Sequence, residues 1–242
     1  MVSGTHFTSH GGTTKAMRTN LNIYSNIHEG ETCVIIGNGP SLRLDDLERL
    51  SKYITFGSNQ IYRLPFTPTY YSMVDRDMID ACLPLPLDFK PLQMFIRAEA
   101  CIEGNNPIQA IIAAGFSRDI DNFVIMGGTV TYVLFQIAYF MGFKRFLLTG
   151  VDHNYPYAGT LKPGKNFEAG KKDIDHFECA DGKPYFREGL RYNAPEMDGV
   201  TQSYLWINEL FGQEDLRVVN LTRKTDLEIF EKMDIDEWLT TH

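Results

Sequence analysis

The segment Cys33 to Leu42 reads CVIIGNGPSL, an apolar strand that runs into a glycine-containing turn and then into helix-forming residues from Leu44 to Leu50. A buried strand that ends in Gly37-Asn38-Gly39 lets the backbone approach a phosphate or a ribose, because glycine has no Cβ to hold the ligand off. The helix start beyond it offers free N–H groups and a positive dipole end, and Ser41 lies between the two. Pro40 suits such a first turn, where its missing N–H costs nothing. Leu42 stands where the fingerprint G-x-G-x-x-G has its third glycine. The match is therefore partial, points away from NAD, and also fits a turn that uses glycine for shape alone.

A second turn of this kind, Gly127-Gly128-Thr129, follows an apolar run from Phe123, and a strand from Phe146 to Gly150 opens onto Asp152, His153, Asn154 and Tyr155. Two further strands, Tyr53 to Gly57 and Thr69 to Val74, end in Ser58-Asn59-Gln60 and in Asp75. Ligands of open α/β sheets bind beyond the carboxyl ends of strands, so Asn38, Asn59 and Asp75 are expected at one sheet edge. Each also reads as a turn residue bonding its own backbone.

The elements that must position these groups alternate strand and helix. After Gly128 the apolar positions from Val130 cover almost every helical face, which predicts a buried helix ended by Gly142. Strand, glycine turn, helix and strand make a βαβ crossover, right-handed by default. Gly199 to Phe211 reads as an amphipathic helix, Arg217 to Leu221 as a strand, and Asp234 to Leu239 as a closing helical turn. The middle, Ala81 to Asn122, holds Pro84, Pro86, Pro91 and Pro107 and gives only short apolar runs at Leu92 to Ile96 and Ile108 to Ala114. Residues 158–193 are polar and without periodicity, which marks a lid or binding loop, or else disorder. The expected fold is α/β, Rossmann-like, a mostly parallel sheet with helices on both faces. Residues 1–30 are expected to be a flexible leader and residues 31–242 one nucleotide-binding domain.

A formal charge of −8 over 242 residues leaves no general surface for nucleic acid, whose binding relies on Lys and Arg to release counterions. Any anion must be held locally. Cys33, Cys82, Cys101 and Cys179 form no C-x-x-C pair, so reduced thiols and a cytoplasmic setting are expected. The longest apolar stretch, Val130 to Phe143, is interrupted by Thr131 and Gln136 and is too short to span a bilayer. Peripheral membrane contact and oligomeric state stay open.

Four segments together, VIIGNGPSL, SNQIY at Ser58 to Tyr62, PTYYSMVD at Pro68 to Asp75, and GGTVTYVLFQIAYFMGFKRFLLTGVDHNY, resemble the MptE-like (6-hydroxymethylpterin diphosphokinase-like) family and the related bacterial lipooligosaccharide α-2,3-sialyltransferases. The resemblance implies a Rossmann-like transferase of nucleotide-activated substrates, acting on a small-molecule or glycan acceptor. In the sialyltransferase form it uses a CMP-sugar without a metal, in surface-glycan or lipopolysaccharide biosynthesis. In the diphosphokinase form it uses ATP and Mg²⁺, for which Asp75 and Asp152 are the candidate ligands. A nucleotide-sugar-binding protein that has lost catalysis is the non-enzymatic form.

By the same resemblance Gly37, Asn38, Gly39, Ser41, Ser58, Asn59, Gly127, Gly128, Thr129 and Asp152 would line the nucleotide. Tyr155, with Tyr157 behind it, would bond the donor phosphate as a neutral hydroxyl donor. The sialyltransferases have a histidine base just before the late helix, where this chain reads RYNAPEMDGVTQSY with Asn193 near the expected place. Asparagine cannot accept the proton. The substitutes are His176, with Asp175 expected to orient its ring, and His153, and either also reads as a surface or hydrogen-bonding histidine.

Overall fold

The computed structural model describes residues 20–100, 102, 104–156, 166–169 and 173–242. Chain order gives β1 (Thr32–Ile36), α1 (Leu44–Leu50), β2 (Ile54–Ser58), β3 (Tyr70–Met73), α2 (Arg76–Cys82), β4 (Gln93–Arg97) and β5 (Asn106–Ile108). There follow β6 (Ala110–Ile111), β7 (Val124–Ile125), α3 (Val130–Phe140), β8 (Arg145–Thr149), β9 (Asn166–Glu168) and β10 (Arg191–Asn193). The chain closes with α4 (Met197–Gln213), β11 (Arg217–Asn220), β12 (Glu231–Lys232) and α5 (Ile235–Thr241).

Eight strands form one parallel sheet in the order β12-β11-β8-β1-β2-β3-β4-β5. From β1 the chain builds outward to β5, crosses back through α3, and lays β8 on the other side of β1. Strand order therefore reverses between β1 and β8, the crevice where open α/β sheets take their ligands.

Side chains alternate across the sheet with period two, and both faces are covered, so the strands read as continuous apolar runs. Cys33, Ile35, Phe56, Phe146 and Leu148 pack with α3 and α4. Val34, Ile36, Tyr71 and Leu147 pack with α1, α2 and α5, where Trp238 is buried. The buried helix expected after Gly128 is α3, and Gly142, at φ 91°, follows it in the left-handed conformation that a side chain disfavours.

Gln136 is the polar interruption of α3 and is fully buried. Its Oε1 accepts from the N–H groups of Ile125 (2.9 Å) and Ser117 (3.2 Å), and its Nε2 donates to the carbonyls of Ile125 (2.8 Å) and Tyr132 (3.0 Å). One side chain thus fixes β7 just ahead of the second glycine turn. Gln136→Leu keeps the volume but orphans two buried N–H groups at about 1–3 kcal/mol each. A lower urea midpoint with an unchanged slope is the expected measurement.

The middle of the chain resolves into β4 and β5, which extend the sheet, a separate parallel pair β6–β7, and α2, which the sequence reading did not anticipate. Asp75 is the N-cap of α2, its Oδ1 accepting from Met78 N–H at 3.1 Å. The polar segment expected as a lid is also different in its described part. Phe177, Cys179, Tyr185 and Phe186 are buried in the α1–α2 face of the core. Phe177 N–H donates to the Asn38 carbonyl (3.1 Å), and the guanidinium of Arg63 donates to the carbonyls of Pro184 and Tyr185. Aromatic anchors inside a polar composition hold this stretch down.

Candidate active site

A cavity of about 570 Å³ opens at the carboxyl ends of β1 and β8. Its wall includes Gly37, Asn38, Gly39, Asn59, Asp75, Gly128, Thr129, Asp152, His153, Tyr155 and His176, contributed by segments far apart in sequence. Ser41, Ser58 and Gly127 lie behind it. Ser58 Oγ accepts from Asn38 Nδ2 (3.0 Å), and the Gly127 carbonyl accepts from Ser203 Oγ (2.7 Å). Tyr157 lies outside the described residues.

The first glycine turn is built for a different contact from the one its sequence implied. A Cβ on Gly37 would come within 2.7 Å of the Gly150 carbonyl carbon, and one on Gly39 within 2.6 Å of Asp152 Cγ and 2.9 Å of the Gly150 oxygen. The glycines let the β1 loop dock on the β8 loop. Their N–H groups are spent there too, Gly37 on the Thr149 carbonyl (2.8 Å) and Gly39 on the Gly150 carbonyl (2.9 Å). Ser41 completes the seam, donating its N–H (3.0 Å) and Oγ (2.8 Å) to the two oxygens of Asp152. Nor does α1 offer a bare positive end, since Asp45 and Asp46 occupy its first turn and Arg223 grips Asp46 with two bonds of 2.7 Å.

The second turn is the better anion seat. Gly127 and Gly128 are both left-handed, at φ 57° and 75°, and lead into α3, whose first turn carries no acidic residue. Gly128, Thr129, Val130 and Thr131 all line the cavity. A helix N-terminus of this kind stabilises negative charge through its unpaired N–H groups and dipole.

Two acceptors in the cavity wall are short of donors: Asn38 Oδ1 and Asn59 Oδ1 are buried without a hydrogen-bond partner. Asn59 is itself held left-handed, at φ 49°, and its carbonyl accepts from Tyr71 Oη at 2.6 Å. Hydroxyls of a ribose or the amino group of a base are the kinds of donor such oxygens lack.

Carboxylates dominate the charge. Asp75, Asp77, Asp152, Asp175 and Glu196 line the cavity, and no Lys or Arg does so among the described residues. Burial pushes the Asp152 carboxyl up, against the opposing pull of the Ser41 bonds. Burial, together with the carboxylates of Asp175 and Asp152, pushes the Tyr155 hydroxyl up to about 12, so it is a neutral donor at physiological pH.

Of the two candidate magnesium ligands, Asp75 uses one oxygen to cap α2, and both oxygens of Asp152 accept from Ser41. Among the described residues no group of three or more potential metal ligands comes together.

Both histidines reach the cavity wall, each with one ring nitrogen engaged. His176 Nδ1 lies 3.0 Å from both oxygens of Asp173, and the ring stacks on Tyr185 at 4.2 Å with Phe186 against its edge. Asp173, three residues back, is therefore the carboxylate that orients His176, and not Asp175. The Asp175 N–H donates to Asp173 Oδ1 at 2.9 Å. His153 Nε2 lies 2.9 Å from Thr201 Oγ1, and its ring meets Tyr204 edge-on at 5.6 Å. Burial pulls the His153 imidazole down, partly opposed by Asp226.

Thr201 and Tyr204, both on α4, are site residues that the sequence reading missed. Tyr204 is buried in the cavity wall, which it shares with Thr129 and Thr131 at the start of α3. Their spacing of three at the edge of an apolar helix face that includes Tyr204 was the available signal, and it is shared by any amphipathic helix.

No family model matches the chain, and no curated protein matches it, so the MptE-like resemblance stands on the four quoted segments alone. No helix among the described residues is long and apolar enough to cross a membrane. Among solved structures, the sialyltransferase CstII from Campylobacter jejuni, solved in complex with a substrate analogue, cytidine-5'-monophosphate, is similar at 12% identity over 85% of each chain, with a TM-score of 0.49. The MAf glycosyltransferase from Magnetospirillum magneticum AMB-1 is similar at 15% identity over 91% of this chain, with a TM-score of 0.53. This chain spans 38% of the length of that glycosyltransferase, and at such identity what the two share is an α/β fold built on a mostly parallel sheet.

Proposed function

We propose that this protein is a glycosyltransferase that moves a sugar from a CMP-activated donor to an acceptor hydroxyl, without a metal in the transfer step. The observation that carries the reading is the gathering, in one cavity at the β1–β8 switch point, of histidines, a neutral tyrosine and an acid-free helix start. The fold shared with a glycosyltransferase structure supports it, and the CMP donor follows from the motif resemblance.

The acceptor hydroxyl gives its proton to a histidine as its oxygen bonds to the anomeric carbon. The bond from that carbon to the phosphate oxygen breaks, and the electron pair leaves with CMP. Tyr155 and the start of α3 meet the charge that grows on the departing phosphate. Five carboxylates and no cation in the described wall penalise a triphosphate most and a single phosphate least, which favours CMP over ATP as the leaving or donating group.

Thermal denaturation in the presence of CMP, CDP, UDP, ATP and GTP, each with Mg²⁺ or with EDTA, tests the reading. At a hundredfold excess over its dissociation constant CMP stabilises by about 2.7 kcal/mol. That is a rise in Tm of roughly 5–10 °C for a chain of this size, undiminished by EDTA. Stabilisation by ATP that needs Mg²⁺, with none by CMP, sinks the glycosyltransferase in favour of the diphosphokinase. Stabilisation by CMP with no release of CMP from any CMP-sugar leaves a binding protein.

A further inference from the structure

His153 stands where the chain leaves β8, with φ at 52°, in the left-handed region that a residue bearing a side chain enters at a cost of about 1 kcal/mol or more. The loop after β11 holds it there. Val151 N–H donates to Thr222 Oγ1 (3.1 Å), and the Val151 carbonyl accepts from Thr225 Oγ1 (2.7 Å). Asp226 N–H donates to the Asp152 carbonyl (2.8 Å), and Asn154 Nδ2 donates to Asp226 Oδ2 (2.7 Å). Four bonds grip the neighbours of His153 and none occupies its ring.

The ring reaches α4 instead, where Nε2 lies 2.9 Å from Thr201 Oγ1. The Thr201 hydroxyl donates to the Met197 carbonyl one turn back, at 2.8 Å. A carbonyl can only accept, so with the single hydroxyl hydrogen placed on this shorter contact only lone pairs face the imidazole. Nε2 must then carry the ring hydrogen, which leaves the lone pair on Nδ1.

We infer that Thr201 fixes His153 in its Nε2–H tautomer and thereby makes Nδ1 of His153 the nitrogen that takes the acceptor's proton. Thr201 is a positioning residue and His153 a catalytic one; the catalytic half rests on the glycosyltransferase reading, whereas the tautomer is a property of the free protein. In the reaction Nδ1 receives the proton as the acceptor oxygen bonds to the anomeric carbon and CMP departs with its electron pair. The imidazolium so formed keeps its Nε2–H on Thr201, so the ring need not turn between the two protonation states. His176 is held differently, its Nδ1 by Asp173 and its ring stacked on Tyr185.

Nitrogen-15 NMR of the labelled full-length protein reads the tautomer directly, the His153 signals being those absent from His153→Asn. In the wild type at pH 7.5 the ring shows hydrogen on Nε2 and none on Nδ1. Thr201→Val, of the same shape but without an acceptor, mixes the two tautomers. It lowers kcat about tenfold with donor KM little changed, the mark of a misoriented base. Thr201→Ser restores both the tautomer and kcat, which separates the hydroxyl from any packing role. A wild-type ring carrying its hydrogen on Nδ1, or a spectrum unmoved by Thr201→Val, overturns the inference even where transfer is intact. The expected tautomer in a protein that CMP neither stabilises nor leaves by turnover overturns the catalytic role together with the glycosyltransferase reading, and the pinned ring is then a structural one.

Discussion

Replacing His153 by asparagine is expected to lower kcat for sugar transfer by about 10²–10⁴, the usual worth of a positioned general base, while CMP still raises Tm as it does in the wild type. Asparagine tolerates the left-handed backbone at this position better than other side chains do and cannot take a proton, so the change removes chemistry with little strain. The pH dependence follows from burial. Imidazolium is disfavoured at His153, so the neutral, proton-accepting ring predominates down to a pH below the ordinary 6.5. In the wild type kcat should therefore be flat through neutrality and fall only as the pH drops past that lowered value, with Asp226 the charge that opposes the shift and Asp152, Glu196 and Tyr204 the other titratable groups around it. A limb centred above pH 7 would assign the base elsewhere.

The second large effect is on folding. Gly39→Ala drives a methyl group into the Asp152 carboxylate and toward the Gly150 carbonyl, neither of which is the loose end of a flexible side chain. Overpacking costs about 1–3 kcal/mol, and loosening the bonds from Ser41 to the charged Asp152 adds about 1.5 kcal/mol or more. A loss of about 3 kcal/mol is the expected sum, read as a lower urea midpoint, and CMP affinity should fall with it because Asn38, Gly39 and Asp152 form part of the cavity wall. Gly212→Ala, in α4 with open space at its Cβ, supplies the contrast: it should be neutral or stabilise by up to about 1 kcal/mol. Equal responses at the two positions would remove the docking role assigned to the first glycine turn.

That role shows where the sequence was readable and where it was not. β1, α1, α3, β8, α4 and β11 stood out because each buries a run long enough for its period to show. β5 and β6 have three and two residues, too few for any period, and the prolines nearby masked the rest; β7 reads as the strand before the second glycine turn, but it pairs with β6 outside the main sheet, so it and β8 do not form the expected βαβ unit. Helix α2 was hidden because Asp75 serves equally as a strand-end ligand and as a helix cap, and the cap won. The glycine turn was found by its residue types but assigned to a phosphate, since its actual partners, Gly150 and Asp152, lie more than a hundred positions away. Residues 158–193 read as a lid, a binding loop or disorder because they are polar and show no period, whereas Phe177, Tyr185 and Phe186 pack into the core. The tie between His153 and Thr201 leaves no trace in spacing at all. It exists only because the sheet brings the end of β8 to the flank of α4.

The grip of residues 222–226 on 151–154 has a consequence for the order of events on the ribosome. The wall from β1 is translated first, the wall from β8 more than a hundred residues later, and the loop that sets His153 later still. Contacts so distant in sequence close late, after local elements have formed. Until Asp226 has emerged the nascent chain holds both glycine turns but lacks the bonds that set the backbone on either side of His153.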